Sequence, residues 1–94
     1  MKIRVKNMIS DSGNAIPNQF EIYLKGDYYF QSYDTIIAKL EIVKNKGRQI
    51  ILDNHSLNYS RTTSKYLFRF LNMKRKEIEE GLKSGEIKLR NLNY

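Results

Sequence analysis

The sequence predicts an α+β domain: an antiparallel sheet of about five or six strands, packed by a main helix in the C-terminal half, with a second short helix and a final short strand. Three observations carry this. Apolar and polar residues alternate in short runs separated by turn formers through the first half. From Tyr59 to Asn72 the period lengthens to that of a helix, and at Ile87 and Leu89 the alternation returns. A chain of 94 residues, 40% apolar and with Pro17 as its one proline, suits a single core over residues 1–94.

The first strand is Lys2 to Ile9, with Ile3, Val5 and Ile9 expected on the core face and Lys2, Arg4 and Lys6 on the other. Ser10 to Asn14 contains Asp11, Gly13 and Asn14 and should reverse the chain, after which Pro17 is expected to open the next strand. In that strand, Gln19 to Leu24, the alternation points Phe20, Ile22 and Leu24 inward and Glu21 and Tyr23 outward. Lys25-Gly26-Asp27 supplies a tight turn into Tyr28 to Tyr33, where Tyr28 and Phe30 share one face and Tyr29 and Tyr33 the other.

Asp34 to Val43 fits two patterns. Ile36, Ile37, Leu40 and Val43 match a helical stripe, whereas the β-branched residues favour a strand. The turn Asn45-Lys46-Gly47 and the run Gln49 to Asp53 read as a hairpin return, which favours the strand; a short helix over Asp34 to Glu41 is the alternative.

In the main helix, Thr63, Tyr66, Leu67, Phe70 and Leu71 fall on one side, with Ser60 or Thr62 as N-cap. Arg61, Lys65 and Arg69 recur every four residues on the other side, with Phe68 among them. An aromatic flanked by arginines is the residue set of a protein-interface anchor, so these four form the candidate partner-binding set. A second helix from Lys74 to Ser84 is anchored by Ile78 and Leu82 and stopped by Gly85.

Catalytic groups are few. There is no cysteine, and His55 is the one histidine. Asp53 beside His55 lacks a third ligand at metal spacing, the glycines form no phosphate-cradling loop, and Glu77, Glu79 and Glu80 read as a solvated helix face. The expectation is a non-enzymatic protein without cofactor or metal. No apolar run approaches bilayer length, so a cytoplasmic protein with no membrane partner is expected.

The net charge of +7 is uneven: +2 from Met1 to Gly47 and +5 from Arg48 to Tyr94. This favours polyanions or acidic surfaces. Lys2, Arg4 and Lys6 on the first strand, Lys74, Arg75 and Lys76 between the helices, and Lys88 and Arg90 on the last strand are the candidate nucleic-acid-binding residues. If the terminal strands are neighbours, five of these cations share one face, with Phe68, Tyr23, Tyr29 and Tyr33 as the rings available for stacking.

The order Asn18-Gln19-Phe20, Tyr29-Phe30-Gln31-Ser32-Tyr33 with Ile36-Ile37-Ala38-Lys39, Leu52-Asp53, Tyr59-Ser60-Arg61-Thr62-Thr63-Ser64-Lys65-Tyr66, Phe70-Leu71, Gly85-Glu86 and Asn91-Leu92-Asn93 resembles a family of small proteins encoded by phages, plasmids and other mobile elements of Firmicutes. The family is similar to a type II-A anti-CRISPR. The resemblance implies a non-enzymatic inhibitor that binds a Cas9-type effector and interferes with guide-RNA loading or ribonucleoprotein assembly, in the cytoplasm of an infected or element-carrying bacterial host. Inhibitors that imitate DNA are acidic, so the positive charge argues against duplex mimicry. The alternative, from the residues alone, is a basic module of a mobile element that binds RNA or DNA.

Overall fold

Strand patterning gives way to two helices and then returns, and the computed structural model, which describes residues 3–43, 47–54 and 60–93, follows that order. The elements are β1 (Ile3–Ile9), β2 (Ala15–Leu24), β3 (Asp27–Ser32), β4 (Thr35–Val43), β5 (Gly47–Asp53), α1 (Arg61–Leu71), α2 (Arg75–Ser84) and β6 (Ile87–Arg90). All six strands join one sheet in sequence order. The first five pair antiparallel, and β6 pairs parallel with β5, so the α+β sheet is mixed at its last strand. The parallel pairing follows from the two intervening helices, which return the chain to the end of the sheet where β5 began. The segment Asp34 to Val43 is strand from Thr35 onward, because its hairpin with β5 supplies a full ladder from Ala38↔Leu52 to Val43↔Gly47. Lys2, the turn residues Asn45 and Lys46, and His55 lie outside the described residues.

Turn chemistry sets the register. Lys25 and Gly26 both have positive φ, 54° and 87°, which matches the right-handed twist of the β2–β3 hairpin. Tyr33 also sits at positive φ, 57°, where its N–H donates to the Asn18 carbonyl at 2.7 Å and its carbonyl accepts from Gln31 Nε2 at 2.7 Å. It therefore belongs to a turn: β3 ends at Ser32, whereas the expected third strand ran to Tyr33.

Pro17 is the third residue of β2 rather than its opening one. It stands in a wide bulge, since the β1–β2 register runs from Asn7↔Phe20 directly to Ile9↔Ala15. Within the bulge Asn18 has φ 64°, and Asn7 Nδ2 donates to the Ile16 carbonyl at 2.7 Å. Where β5 ends at Asp53, the Asn93 carboxamide takes over the role of a strand. It accepts from Ile36 N at 2.7 Å and donates to Ile36 O at 2.9 Å.

Both helices carry their stop signals. Ser60 caps α1, its Oγ accepting from Thr63 N at 3.1 Å, and Asn72 closes it in the left-handed conformation. In α2 the Lys74 N–H donates to Glu77 Oε1 at 2.9 Å, and Gly85 ends the helix at φ 86°. The core lies between the helices and one sheet face: Phe30, Ala38 and Leu52 from the sheet meet Leu67, Leu71 and Ile78, and the Phe30 and Phe70 rings stack at 5.7 Å.

Expectation and structure part at the first two strands. Cross-strand partners share a face, so the row Arg4–Tyr23–Tyr28–Leu40–Ile50–Ile87 lies on the helix side, and Val5–Ile22–Tyr29–Lys39–Ile51–Lys88 lies on the opposite one. Ile3, Val5, Phe20, Ile22 and Leu24 thus point away from the helices, while Glu21 and Tyr23 are on the helix side. Ile3 and Val5 are 62% and 63% exposed. Alternation separates two faces without saying which one is covered.

Gly81 explains itself through β6. A Cβ at this buried position would stand 2.6 Å from Ile87 Cδ1 and 2.7 Å from Ile87 Cγ1. The helix-propensity cost of glycine, about 1 kcal/mol, is offset by this close approach. Gly81→Ala is expected to lower stability by a net ~1 kcal/mol in chemical denaturation, because overpacking outweighs the propensity gain. In an Ile87→Ala background, which removes both Cγ1 and Cδ1, Gly81→Ala should no longer be destabilising; equal effects in both backgrounds would show that the contact is not the cause.

Candidate nucleic-acid interface

Of the helix-side face, the β3–β6 part and the bulged end of β1–β2, where Met8 and Ile16 join the core, are covered, and the rest of β1–β2 continues beyond α1 and α2. Its residues are Arg4 and Lys6 from β1, Glu21 and Tyr23 from β2, and Tyr28 from β3. They line a groove of about 520 Å³. Next to it, a smaller depression of about 190 Å³ is lined by Lys6, Asn7, Met8, Ile9, Glu21 and, from α1, Arg69. The two hollows adjoin at Lys6 and Glu21, which line both. Arg4, Lys6 and Arg69 are all exposed, with Glu21 as the one acidic residue lining either hollow.

Two rings form the floor. Tyr23 and Tyr28 face each other across β2 and β3 with centroids 5.0 Å apart and planes at 59°. The tilt turns the rings edge towards face, a favourable aromatic geometry that fixes Tyr23 and leaves Tyr28 39% exposed. Chemically, the surface offers charge-assisted donors at its rim and a π face within it. No proton-transfer pair is built here: the carboxylate is Glu21, and the cations around it are lysine and arginine.

The remaining candidate residues are dispersed. Sheet order puts β1 and β6 at opposite edges, and register puts Lys88 and Arg90 on the face away from the helices, so they do not join Arg4 and Lys6. Lys74, Arg75 and Lys76 are exposed at the start of α2. Phe68 is half-buried and packs against the core, and the Arg75 guanidinium lies over its ring at 5.2 Å. It is not an outward anchor, because α2 folds back across it. Arg61 and Lys65 remain exposed on the outer face of α1, and Arg69 lines the smaller depression beside Lys6. The sequence reading named Arg4 and Lys6 in one set and Arg69 in another; Tyr23 was grouped with Phe68, Tyr29 and Tyr33, and Tyr28 was missed. The signal that links Tyr28 to Tyr23 is their position on either side of a two-residue turn, which makes them a cross-strand pair.

The opposite face carries a different electrostatic arrangement. Lys39 Nζ lies 3.6 Å from Asp27 Oδ2, 3.5 Å from Glu41 Oε1 and 5.4 Å from the Tyr29 ring centroid, and Arg90 Nη1 reaches Glu41 Oε2 at 3.6 Å. Burial by itself would lower the Lys39 pKa, but the charge and hydrogen bonding of Tyr29, with Glu41 and Asp27, outweigh it and hold the ammonium above its ordinary value. Asp53 is buried and its Oδ1 accepts from Leu92 N at 2.9 Å, a structural role. Among the described residues, no cluster of three metal-ligating side chains occurs and no helix is long and apolar enough to cross a membrane.

Fold and site together define an open-faced two-layer α+β protein, with a sheet half covered by helices and a basic, aromatic groove on the uncovered part. The chain belongs to a family of unknown function, DUF8033, whose model matches residues 3–87. No curated protein and no solved structure matches it.

The Lys39 network makes a pH-dependent contribution to stability. A lysine whose pKa is raised on folding stabilises fully below its unfolded value, and the effect is lost as pH rises through the folded one. Lys39→Met should therefore cost about 1 kcal/mol at neutral pH. The difference from wild type should shrink above pH 10.5. A difference that stays constant to higher pH would mean that Lys39 acts through packing alone.

Proposed function

We propose that this protein is a non-enzymatic binding module whose β1–β2 groove holds single-stranded nucleic acid. The observation that carries the reading is that Arg4 and Lys6 flank the exposed ring of Tyr28 in one groove, with Arg69 beside Lys6 in the adjoining depression. Cations at the rim would neutralise phosphates, and the tyrosine would stack an unpaired base. A duplex presents its bases already stacked, so it would use the cations and leave the ring idle; single strands use both. RNA and DNA share the phosphate and base chemistry required.

A second reading rests on the resemblance to a type II-A anti-CRISPR: the protein would bind a Cas9-type effector of its bacterial host and interfere with guide-RNA loading. The exposed cations Arg61 and Lys65 on the outer face of α1 favour it, because they lie outside the groove and leave a second basic surface for protein contact. Under this reading the groove competes for the RNA, or the helix face occludes its entry.

Titration of fluorescent oligonucleotides by anisotropy tests the first reading. Single strands should bind more tightly than duplex of the same length, with affinity falling steeply in salt. Arg4→Ala should lower the logarithmic salt slope by about 0.7, and Tyr28→Ala should weaken binding about tenfold, whereas Lys88→Ala on the opposite face should change little. Equal affinity for all variants would overturn the groove assignment.

For the second reading, the protein is mixed with Cas9 before and after guide loading and analysed by size exclusion. A complex with guide-free Cas9 that excludes RNA, weakened by Arg61→Glu with Lys65→Glu, is the expected result. Absence of a complex in both orders would reject it.

A further inference from the structure

The two edges of the sheet differ sharply. β6 is four residues long and its neighbouring segment is tied down, with Leu92 N on Asp53 and the Asn93 amide on Ile36. β1 is seven residues long, and from Ile3 to Asn7 it runs opposite Leu24 to Phe20 without bulge or proline. Among the described residues no strand pairs with its outer side. Ile3 and Val5 are among the most exposed apolar side chains of the molecule, although they alternate with cations on a regular strand. An exposed, regular edge with apolar side chains is a template for strand addition.

Charge decides what can add. Arg4 and Lys6 project to the groove side, so a second β1 laid antiparallel against the first would place cations beside cations on that face, and one laid parallel, which turns the second sheet over, would place cations beside Ile3 and Val5. Self-pairing is therefore opposed. The complementary strand has carboxylates where β1 has Arg4 and Lys6, and apolar groups where it has Ile3 and Val5. On the side away from the groove, Ile3 and Val5 adjoin Leu24 and Ile22 through the β1–β2 register, and no charged residue interrupts these four. We infer that β1 accepts an extended segment of a partner protein, alternating acidic with apolar residues, as a seventh strand of the sheet. The main chain supplies the affinity through ladder hydrogen bonds; the two faces of β1 supply the selection. This surface shares Arg4 and Lys6 with the nucleic-acid groove but differs from it in Ile3 and Val5, which lie on the opposite face, so a substitution at Val5 tests strand addition by itself.

The test uses the full chain and three synthetic peptides: one alternating Glu with Val and Ile, the same peptide with Lys for Glu, and the acidic peptide with alternate backbone amides methylated. Binding is followed by calorimetry, and backbone amide exchange is read by NMR. The acidic peptide should bind one to one and slow exchange along Ile3 to Asn7. The Lys and methylated peptides should bind at least about tenfold more weakly. Val5→Lys, at a surface position whose thermal unfolding serves as the folding control, should abolish peptide binding yet retain oligonucleotide binding. The inference is overturned if the Lys peptide binds equally or if methylation has no effect. It is equally overturned if the acidic peptide leaves β1 exchange unchanged, if single-stranded RNA alone gives the same β1 protection, or if the protein dimerises through β1.

Discussion

Two helices are not wide enough for six strands. Strands lie about 4.8 Å apart and a packed helix is about 10 Å across, so α1 and α2 can cover roughly four strands of one face. Everything distinctive about the molecule follows from this shortfall. The row that starts at Ile87 and Ile50 beneath the helices emerges at Tyr28, Tyr23 and Arg4, changing from aliphatic to aromatic to cationic as cover is lost. The groove is thus the unroofed margin of the core, built on the same rigid ladder that carries the packed residues.

The field of the protein is organised by the two faces. On the open face, Lys39 and Arg90 are neutralised by Asp27 and Glu41, so these cations contribute little to the external potential. On the helix side, Arg4, Lys6 and Arg69 meet a single carboxylate, Glu21, in the two hollows they line. Exposed cations therefore remain at the groove, along the outer face of α1 and at the start of α2, and on the opposite face at Lys88. Buried polarity has its own cost: Gln19 is fully buried in the β2 bulge with no hydrogen-bond partner for its amide among the described residues, whereas Ser32 beside it pairs with Thr63 Oγ1 at 3.0 Å. An unsatisfied amide of this kind costs about 1–3 kcal/mol, and the core must supply that margin.

Much of the fold was legible because local chemistry and tertiary structure agree. The Ser60 cap, the Leu67 and Leu71 stripe and the Gly85 stop are all local signals, and the structure uses each of them. Asp34 to Val43 was decided by its partner strand rather than by its own ambiguous pattern. The facing of β1 and β2 was not legible, since Ile3 and Phe20 have the same alternation whether or not a helix lies above them. Nor could the wide bulge at Ile16 to Gln19 be read, because one proline and one positive-φ asparagine do not specify how many residues leave the ladder. For the candidate site, each cation was visible in the sequence. Their grouping required the strand order, which separated Arg4 from Lys88 and brought Arg69 to Lys6. Phe68 needed the path of α2, which no residue within α1 encodes.

The mixed pairing of the last strand has a kinetic meaning. From β1 to β5 every neighbour in the sheet is also the neighbour in sequence, so each hairpin closes a short loop at small entropic cost. β6 can join only after α1 and α2 have formed a compact crossover, and its seat then depends on the fit of Ile87 against Gly81. A meander that assembles by local steps and a final strand that docks late describe a chain of moderate contact order, with its barrier set by one non-local event. In the interval before that event, the β5 edge and the lower side of α2 are bare together.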